Sequence, residues 1–311
     1  VTAGRSCPAC GSSALVAWLT VPGSDPALPG DYALARCASC GTAVTLAPVP
    51  PEAHESGAYG GGAPRGSRAA APILRAFTRR RLTLLGAGGG AGRLLDVGAG
   101  RGRFVAQARA AGWDAQGIEP SLRGVEGAKA IGVQLQRAGI DDADVARGSL
   151  DAATLWHVLE HLDEPGPALE RIAGWLAPGG LLLVGVPNLG SVQARLGGAR
   201  WYHLDVPRHR THFTVAGLEA LLRSSGLEPI STHHVLAEHN PFGLWVSLVS
   251  RATRTPSWLY HALKRNAPLR SRDAVVTVLA LALVPVAVLA ELAFGLAGRG
   301  GTVAVVARRV R

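Results

Sequence analysis

The sequence predicts an α/β fold in which a mostly parallel, doubly wound sheet carries helices on both faces. Three observations predict it. From residue 93 onward, short apolar runs alternate with helical patterns, the order that builds parallel strands joined by crossover helices. Residues 94–104 read as a strand, a glycine-rich turn and the start of a helix, with an acid, Glu119, at the end of the next strand. Residues 302–307 alternate like one more strand, which makes seven strands in all.

The elements follow in order. Cys7, Cys10, Cys37 and Cys40 form two C-x-x-C knuckles, each followed by a glycine that allows a tight turn. With short strands at 15–21 and 32–36 between them, residues 1–48 read as a small zinc ribbon, with the four thiolates as ligands of one structural zinc ion. A stretch this short does not bury enough apolar surface to fold without its metal. Residues 49–92 read as a linker rich in Pro, Gly and Ala, with a basic helix at 72–85. The third division, 93–311, holds the alternating elements. Strands are expected at 94–97, 115–118, 133–137, 152–156, 181–186 and 228–234, and helices at 103–111, 122–131, 167–176 and 215–224. An apolar helical insertion at about 243–298 precedes the last strand.

The insertion contains an almost unbroken apolar run, 274–290, interrupted by Pro285 and ended by Glu291. Its length falls short of a comfortable membrane span. Because a sheet strand follows it, a single crossing is excluded. It is expected as a buried helical hairpin, or as an in-plane element that gives peripheral membrane association through 274–290. The alternative is packing on its own protein or on a second copy. The formal net charge of +10 suits polyanions such as anionic headgroups, nucleic acid or phosphorylated substrates. No apolar segment follows a basic start, so a cytoplasmic location is expected, at most peripheral at the inner membrane face.

The glycine turn leaves two cofactor readings open. A dinucleotide fingerprint needs G-x-G-x-x-G, but Arg103 stands where its third glycine belongs. The pattern D-x-G-x-G-x-G fits at Asp96, Gly98, Gly100 and Gly102. Glu119, at the end of the following strand, is placed to accept hydrogen bonds from two ribose hydroxyls. Further along stand Asp151-Ala152-Ala153-Thr154-Leu155-Trp156-His157-Val158-Leu159-Glu160-His161, Leu176-Ala177-Pro178-Gly179-Gly180, Val186-Pro187-Asn188 and His203 to Thr214. Together and in this order these segments resemble the class I S-adenosylmethionine-dependent methyltransferases, in particular the methyltransferase-23-like bacterial subgroup that often carries an N-terminal four-cysteine ribbon.

The resemblance implies a Rossmann-like fold, a seven-stranded, mostly parallel sheet whose final strand, 302–307, is antiparallel, with S-adenosylmethionine as cofactor. Gly98, Gly100 and Gly102, with the intervening Ala99 and the following Phe104, line its methionine and ribose end. Asp96 orients the amino group through water, and Glu119, followed by Pro120, takes the ribose. The segment 138–141, ending at Asp141, holds adenine, and Trp156 and His157 lie near the sulfonium. A hydroxyl acceptor needs a general base, for which His157, His161, His209 and His212 are the candidates. His157, Glu160 and His161 also form H-x-x-E-H, which matches an inverted zinc-protease string. In related O-methyltransferases an acidic E-x-x-E-H at this place holds a divalent ion; here His157 replaces the first acid.

The expected substrate is a small molecule, a sugar or a lipid-linked glycan, with a hydroxyl favoured and carbon as the other acceptor. A zinc ribbon with basic charge also suits an RNA base methyltransferase. That enzyme type carries an N/D-P-P-Y/F motif after the fourth strand, which this chain lacks, so nucleic acid is not the expected partner. A third reading is a non-catalytic, cofactor-binding assembly module.

Overall fold

The computed structural model describes residues 4–25, 27–49, 71–85, 92–264 and 270–310. The chain divides into two compact units, neither of them one continuous stretch. One comprises Arg68–Val186, Glu219–Thr232 and Ala304–Arg311; the other comprises Val1–Ser67, Pro187–Leu218 and His233–Val303. This departs from the three consecutive divisions 1–48, 49–92 and 93–311. Much of the expected linker lies outside the described residues.

The first unit is built on a six-stranded sheet. In chain order its elements are helix α1 (Ala71–Leu84), strand β4 (Arg93–Val97), α2 (Arg103–Ala110), β5 (Asp114–Ile118), α3 (Leu122–Lys129), β6 (Leu150–Trp156), α4 (Pro165–Trp175), β7 (Leu176–Pro187), β9 (Leu227–His233) and β10 (Thr302–Arg309). The number β8 belongs to the other unit, and helix α6 (Val215–Ser224) precedes β9. The strand order is β5-β4-β6-β7-β10-β9. The pairs β4–β5, β4–β6 and β6–β7 are parallel, and the sheet is mixed, with an antiparallel strand. Inner strands are apolar along their length because helices cover both faces; Leu94, Leu95, Val97, Ala152, Ala153, Leu155 and Leu182–Val184 are all buried.

The seventh strand expected at 133–137 is reduced to one parallel bridge between Ile118 and Gln136. Two backbone bonds fix it, Gln136 N–H to Gly117 and Glu119 N–H to Gln136, both 3.0 Å. Gly132, at φ +78°, turns the chain immediately before it, so little extended length is left to pair.

The second unit carries a four-stranded sheet, β1 (Leu15–Pro22), β2 (Asp31–Cys37), β3 (Ala43–Thr45) and β8 (Thr211–His212), in that order and antiparallel throughout. The ribbon therefore does not end at residue 48. Its third strand pairs with a strand from far along the chain, Ala43 opposite His212 and Val44 opposite Thr211. Its apolar residues Val21, Leu34 and Ala43 join one buried cluster with Leu189, Trp201, Leu204 and Val206. Too small to enclose a core alone, the ribbon borrows one.

The remaining helices of this unit are α5 (Val192–Gly197), α7 (Asn240–Val249), α8 (Trp258–Leu263), α9 (Ser271–Leu279) and α10 (Val284–Leu296). The fully buried Gln193 on α5 is their hub. Its Nε2 donates to the Asn240 carbonyl (2.9 Å) and to Glu291 Oε1 (2.8 Å), and its Oε1 accepts from Trp201 Nε1 (2.9 Å). The apolar run 274–290 is not a hairpin. α9, a short 3-10 turn and α10 form one helical run, Ser271–Leu296. Pro285 does not break it: it falls in the first turn of α10, directly after the 3-10 turn, where a proline is tolerated.

Candidate active site

The site of the first unit grows from the carboxyl ends of β4, β5 and β6. Strand β4 ends in the turn Gly98 to Gly102, whose three glycines all have positive φ (70°, 56° and 69°). At Gly98 a side chain is excluded twice: the backbone is left-handed, and a Cβ would lie 2.4 Å from Val158 Cγ2. At Gly102 a Cβ would press on Val133 and Ala128. The turn therefore lies flat, and α2 starts directly behind it. Ala99 and Phe104 are buried and pack this turn rather than opening onto solvent.

Glu119 fastens the turn to the next strand. It is buried, its Oε2 accepts the Gly100 N–H (2.7 Å), and its Oε1 accepts the Ser121 N–H (2.9 Å). Each carboxylate oxygen has a second lone pair, so the group holds the loop and retains acceptor capacity for two hydroxyls. Pro120 follows as an exposed residue, and Ser121 caps α3 by accepting the Gly124 N–H at 3.2 Å.

Asp96, opposite Thr154 across β4 and β6, accepts that hydroxyl at 2.6 Å. Burial pushes its pKa up to about 6; the Thr154 hydrogen bond and the Arg81 guanidinium work against the rise, and the Glu119 charge adds to it. Arg81 stands with its guanidinium carbon 4.3 Å from the centroid of the Trp156 ring, a cation–π contact. In the sequence Arg81 is one of three consecutive arginines, 79–81. Helical spacing was the available signal: Thr78, Leu82 and Leu85 are buried, and Arg81 falls on that same face whereas Arg79 and Arg80 do not.

Beyond Trp156 the chain makes a left-handed residue at His157 (φ 55°). A non-glycine residue there is strained, and such strain concentrates at functional sites. His157 Nδ1 lies 2.9 Å from Glu160 Oε1, and Glu160 is buried. A carboxylate only accepts, so Nδ1 carries a proton towards Glu160. Trp156 fits at this edge because position 185 on β7 is glycine; a Cβ there would lie 2.6 Å from the Trp156 ring. His161 follows on the 3-10 turn Leu159–His161. Asp141 is exposed and sits 3.3 Å from Arg171, so its side chain is turned to the surface while Ala138 and Ile140 are buried.

His209 and His212 belong to the other unit. His212 is buried, its Nε2 is 3.0 Å from Thr45 Oγ1, and burial pushes its pKa down to about 3. Thr45 gives its single hydroxyl proton to the His209 carbonyl at 2.7 Å, so His212 Nε2 must be the donor. His209 Nδ1 donates to the His203 carbonyl at 2.8 Å. In the same unit the four cysteine sulfurs lie within 4.8 Å of one another, with Cys7–Cys40 at 3.6 Å and Cys10–Cys37 at 3.7 Å. A tetrahedron of thiolates about 2.3 Å from one zinc has edges of about 3.8 Å. Backbone N–H groups of Ala9 and Cys10 point at Cys7 Sγ, and those of Ser39 and Cys40 at Cys37 Sγ. The donor set fits zinc.

A doubly wound sheet with an acid–glycine turn and a buried acid at the end of the next strand is the framework of a nucleoside-cofactor-binding enzyme, here of the S-adenosylmethionine-dependent methyltransferase class. The chain belongs to the methyltransferase domain family, whose model matches residues 67–232. It is 28% identical over 208 residues to a ubiquinone biosynthesis O-methyltransferase of Xanthomonas oryzae pv. oryzae, covering 62% of this chain and 82% of that protein. A similar protein from Nitrobacter winogradskyi with the same name is 29% identical over 102 residues, 31% of this chain and 39% of that one. Among solved structures, the [4+2]-cyclase SpnF superposes with a TM-score of 0.50 at 22% identity, covering 78% of this chain and 82% of its own. A chain of the complex between the Haloferax volcanii Trm112 methyltransferase activator and the putative methyltransferase gives 0.52 at 16% identity, covering 85% and 100%. These two likenesses concern the fold alone.

Proposed function

We propose that the protein methylates a hydroxyl of a small molecule, sugar or lipid-linked glycan, with S-adenosylmethionine held between the 98–102 turn and Glu119. One observation carries the reading: Glu119 joins the glycine turn to the following strand while keeping acceptor capacity at both oxygens. Glu119 takes the ribose hydroxyls, Asp96 the amino group, and Arg81, on the face of Trp156, adds positive charge at the same end of the site. Ala138 and Ile140 supply apolar surface for the base, and Asp141 is the weakest member of the set because its side chain pairs with Arg171. S-adenosylmethionine supplies a methyl on a cationic sulfur that departs as a neutral thioether. That leaves alignment of the acceptor and removal of its proton to the protein.

His157 is the proposed base. Glu160 holds its Nδ1–H and so fixes the ring's orientation, and in the neutral ring Nε2 is the nitrogen that would take the hydroxyl proton. His212 is proposed as structural, since its Nε2–H is committed to Thr45. His161 and His209 remain the secondary candidates. The Xanthomonas relatives are named as O-methyltransferases, which supports an oxygen acceptor. Mass analysis of products formed with methyl-labelled cofactor and panels of phenols, sugars and lipid-linked glycans tests the reading; label on carbon or nitrogen only would overturn the hydroxyl assignment.

On an acceptor that turns over, His157→Ala is expected to lower kcat by about 10²–10⁴-fold with cofactor affinity held within a few-fold. Glu160→Gln is expected to shift the acidic limb of the pH profile downward, because a neutral amide no longer favours the protonated ring. Unchanged kcat in both variants would remove His157 as base. Asp96 gives a second prediction. Burial raises its carboxyl to about 6, and the ionised form pairs with an ammonium group far more strongly than the protonated form does. Affinity for S-adenosylhomocysteine should therefore fall towards tenfold per pH unit below about 6 and level off above it. Calorimetric titration of wild type and Asp96→Asn checks this; a pH-independent wild type would take Asp96 out of the site.

A further inference from the structure

We infer that the helical run Ser271–Leu296 lies flat on an anionic lipid bilayer, its apolar outer face in the acyl boundary and its cationic surroundings on the headgroups. The carrying observation is an inverted amphipathic pattern. A surface helix of a soluble protein turns its apolar stripe inward and its charges outward. Here Asp273, Thr277, Glu291 and Gly295 are buried at helical spacing, while Val278, Leu279, Val286, Leu289 and Leu296 are exposed. The most apolar 18-residue stretch of the run has a mean hydropathy of 2.5, yet only 17% of that stretch is buried. Exposed apolar patches beyond about 300–600 Å² mark interaction surfaces rather than ordinary monomer surface.

The helix lies on its unit rather than leaving it. Near its start, Asp273 Oδ1 accepts the Arg254 N–H at 3.1 Å. Near its end, Glu291 accepts from Gln193 (2.8 Å) and from the Gly301 N–H (3.2 Å). Between them the Trp245 indole donates to the Ala280 carbonyl at 2.7 Å. A run of 26 residues is about 39 Å long and long enough to span a bilayer. With an acid pinned to the same unit near each end, however, lipid reaches only the outer faces.

Charge selects the occupant. Between residues 240 and 300 the only acids are Asp273 and Glu291, and both are buried. Arg251, Arg254, Arg270, Arg272 and Arg299 are exposed around the two ends of the helix. A second copy docked through this face, in either direction, would set cation against cation at both ends, whereas anionic headgroups neutralise them.

Flotation of the full chain with vesicles tests the proposal, using phosphatidylcholine alone and phosphatidylcholine mixed with phosphatidylglycerol. The wild type is expected to float with the mixed vesicles at least tenfold more than with phosphatidylcholine alone, and to be released by salt. Leu279→Glu with Leu289→Glu should abolish flotation. Arg270→Glu with Arg272→Glu should remove the preference for the anionic vesicles. These positions are exposed, and an unchanged thermal melt and unchanged S-adenosylhomocysteine binding in each variant confirm folding. Cofactor binding is read on the same samples, so failure of the methyltransfer reading is seen separately. Absence of flotation on either vesicle overturns the proposal, and equal flotation on both overturns the headgroup assignment. A dimer in solution that the leucine variants convert to monomer, without vesicle binding, assigns the face to a second copy instead.

Discussion

Replacing Glu119 by Ala is expected to weaken S-adenosylhomocysteine binding by roughly three orders of magnitude. Two hydrogen bonds between ribose hydroxyls and a charged acceptor contribute about 1.5–3 kcal/mol each, and every 1.4 kcal/mol is tenfold. A further loss comes from the loop, because the same carboxylate holds the Gly100 and Ser121 N–H groups. Glu119→Gln separates the two parts. Its amide oxygen still accepts one bond, but its NH₂ now faces a backbone N–H, so one side of the bridge becomes repulsive. About a hundredfold loss is expected for Gln, with a smaller fall in melting temperature than for Ala. Calorimetric titration alongside thermal melts measures both. If either variant binds within threefold of wild type, the acid does not grip the cofactor and the crevice has been assigned to the wrong ligand.

How much of this was legible beforehand depends on the range over which each feature is encoded. The strands around the glycine turn were readable because apolar runs, glycines and helix starts are local signals. Asp96 and Glu119 were readable because strand, turn, helix and strand fix their separation. Arg81 was not distinguished from Arg79 and Arg80, since its role depends on which face of α1 meets the sheet. The pairing of β3 with β8 was invisible too. Thr211 and His212 carry no strand signal by themselves, and only packing over Leu189, Trp201 and Leu204 brings them to the ribbon edge. Of the alternatives the apolar run leaves open in the sequence, the hairpin is the one that the continuous helix excludes. Whether a proline ends a helix depends on where the first turn falls, and a stretch this uniformly apolar gives no periodicity to locate it.

The ribbon supplies the other large effect. Stripping zinc, or replacing Cys37 and Cys40 by Ser, is expected to unfold the β1–β3 sheet, because four buried or half-buried thiols 3.6–3.7 Å apart in pairs repel once ionised and leave a void once protonated. Structural zinc in small domains is bound with about 10 kcal/mol or more, comparable to the whole stability of a domain. The damage should not stop at residue 48. Thr214 Oγ1 donates to the Cys40 carbonyl at 2.7 Å, Thr45 bonds the His209 carbonyl, and Val21, Leu34 and Ala43 share a core with Leu189 and Trp201. Hydrogen exchange should therefore accelerate in residues 189–214 as well as 7–45, by two orders of magnitude or more, when metal is removed. Elemental analysis should find one zinc per chain, and the four thiols should react with a thiol reagent only after chelation. A metal-free preparation with reactive thiols and unaltered exchange at 189–214 would show that the sheet stands on β-pairing and the borrowed core alone. The cysteines would then be a cluster without a structural task.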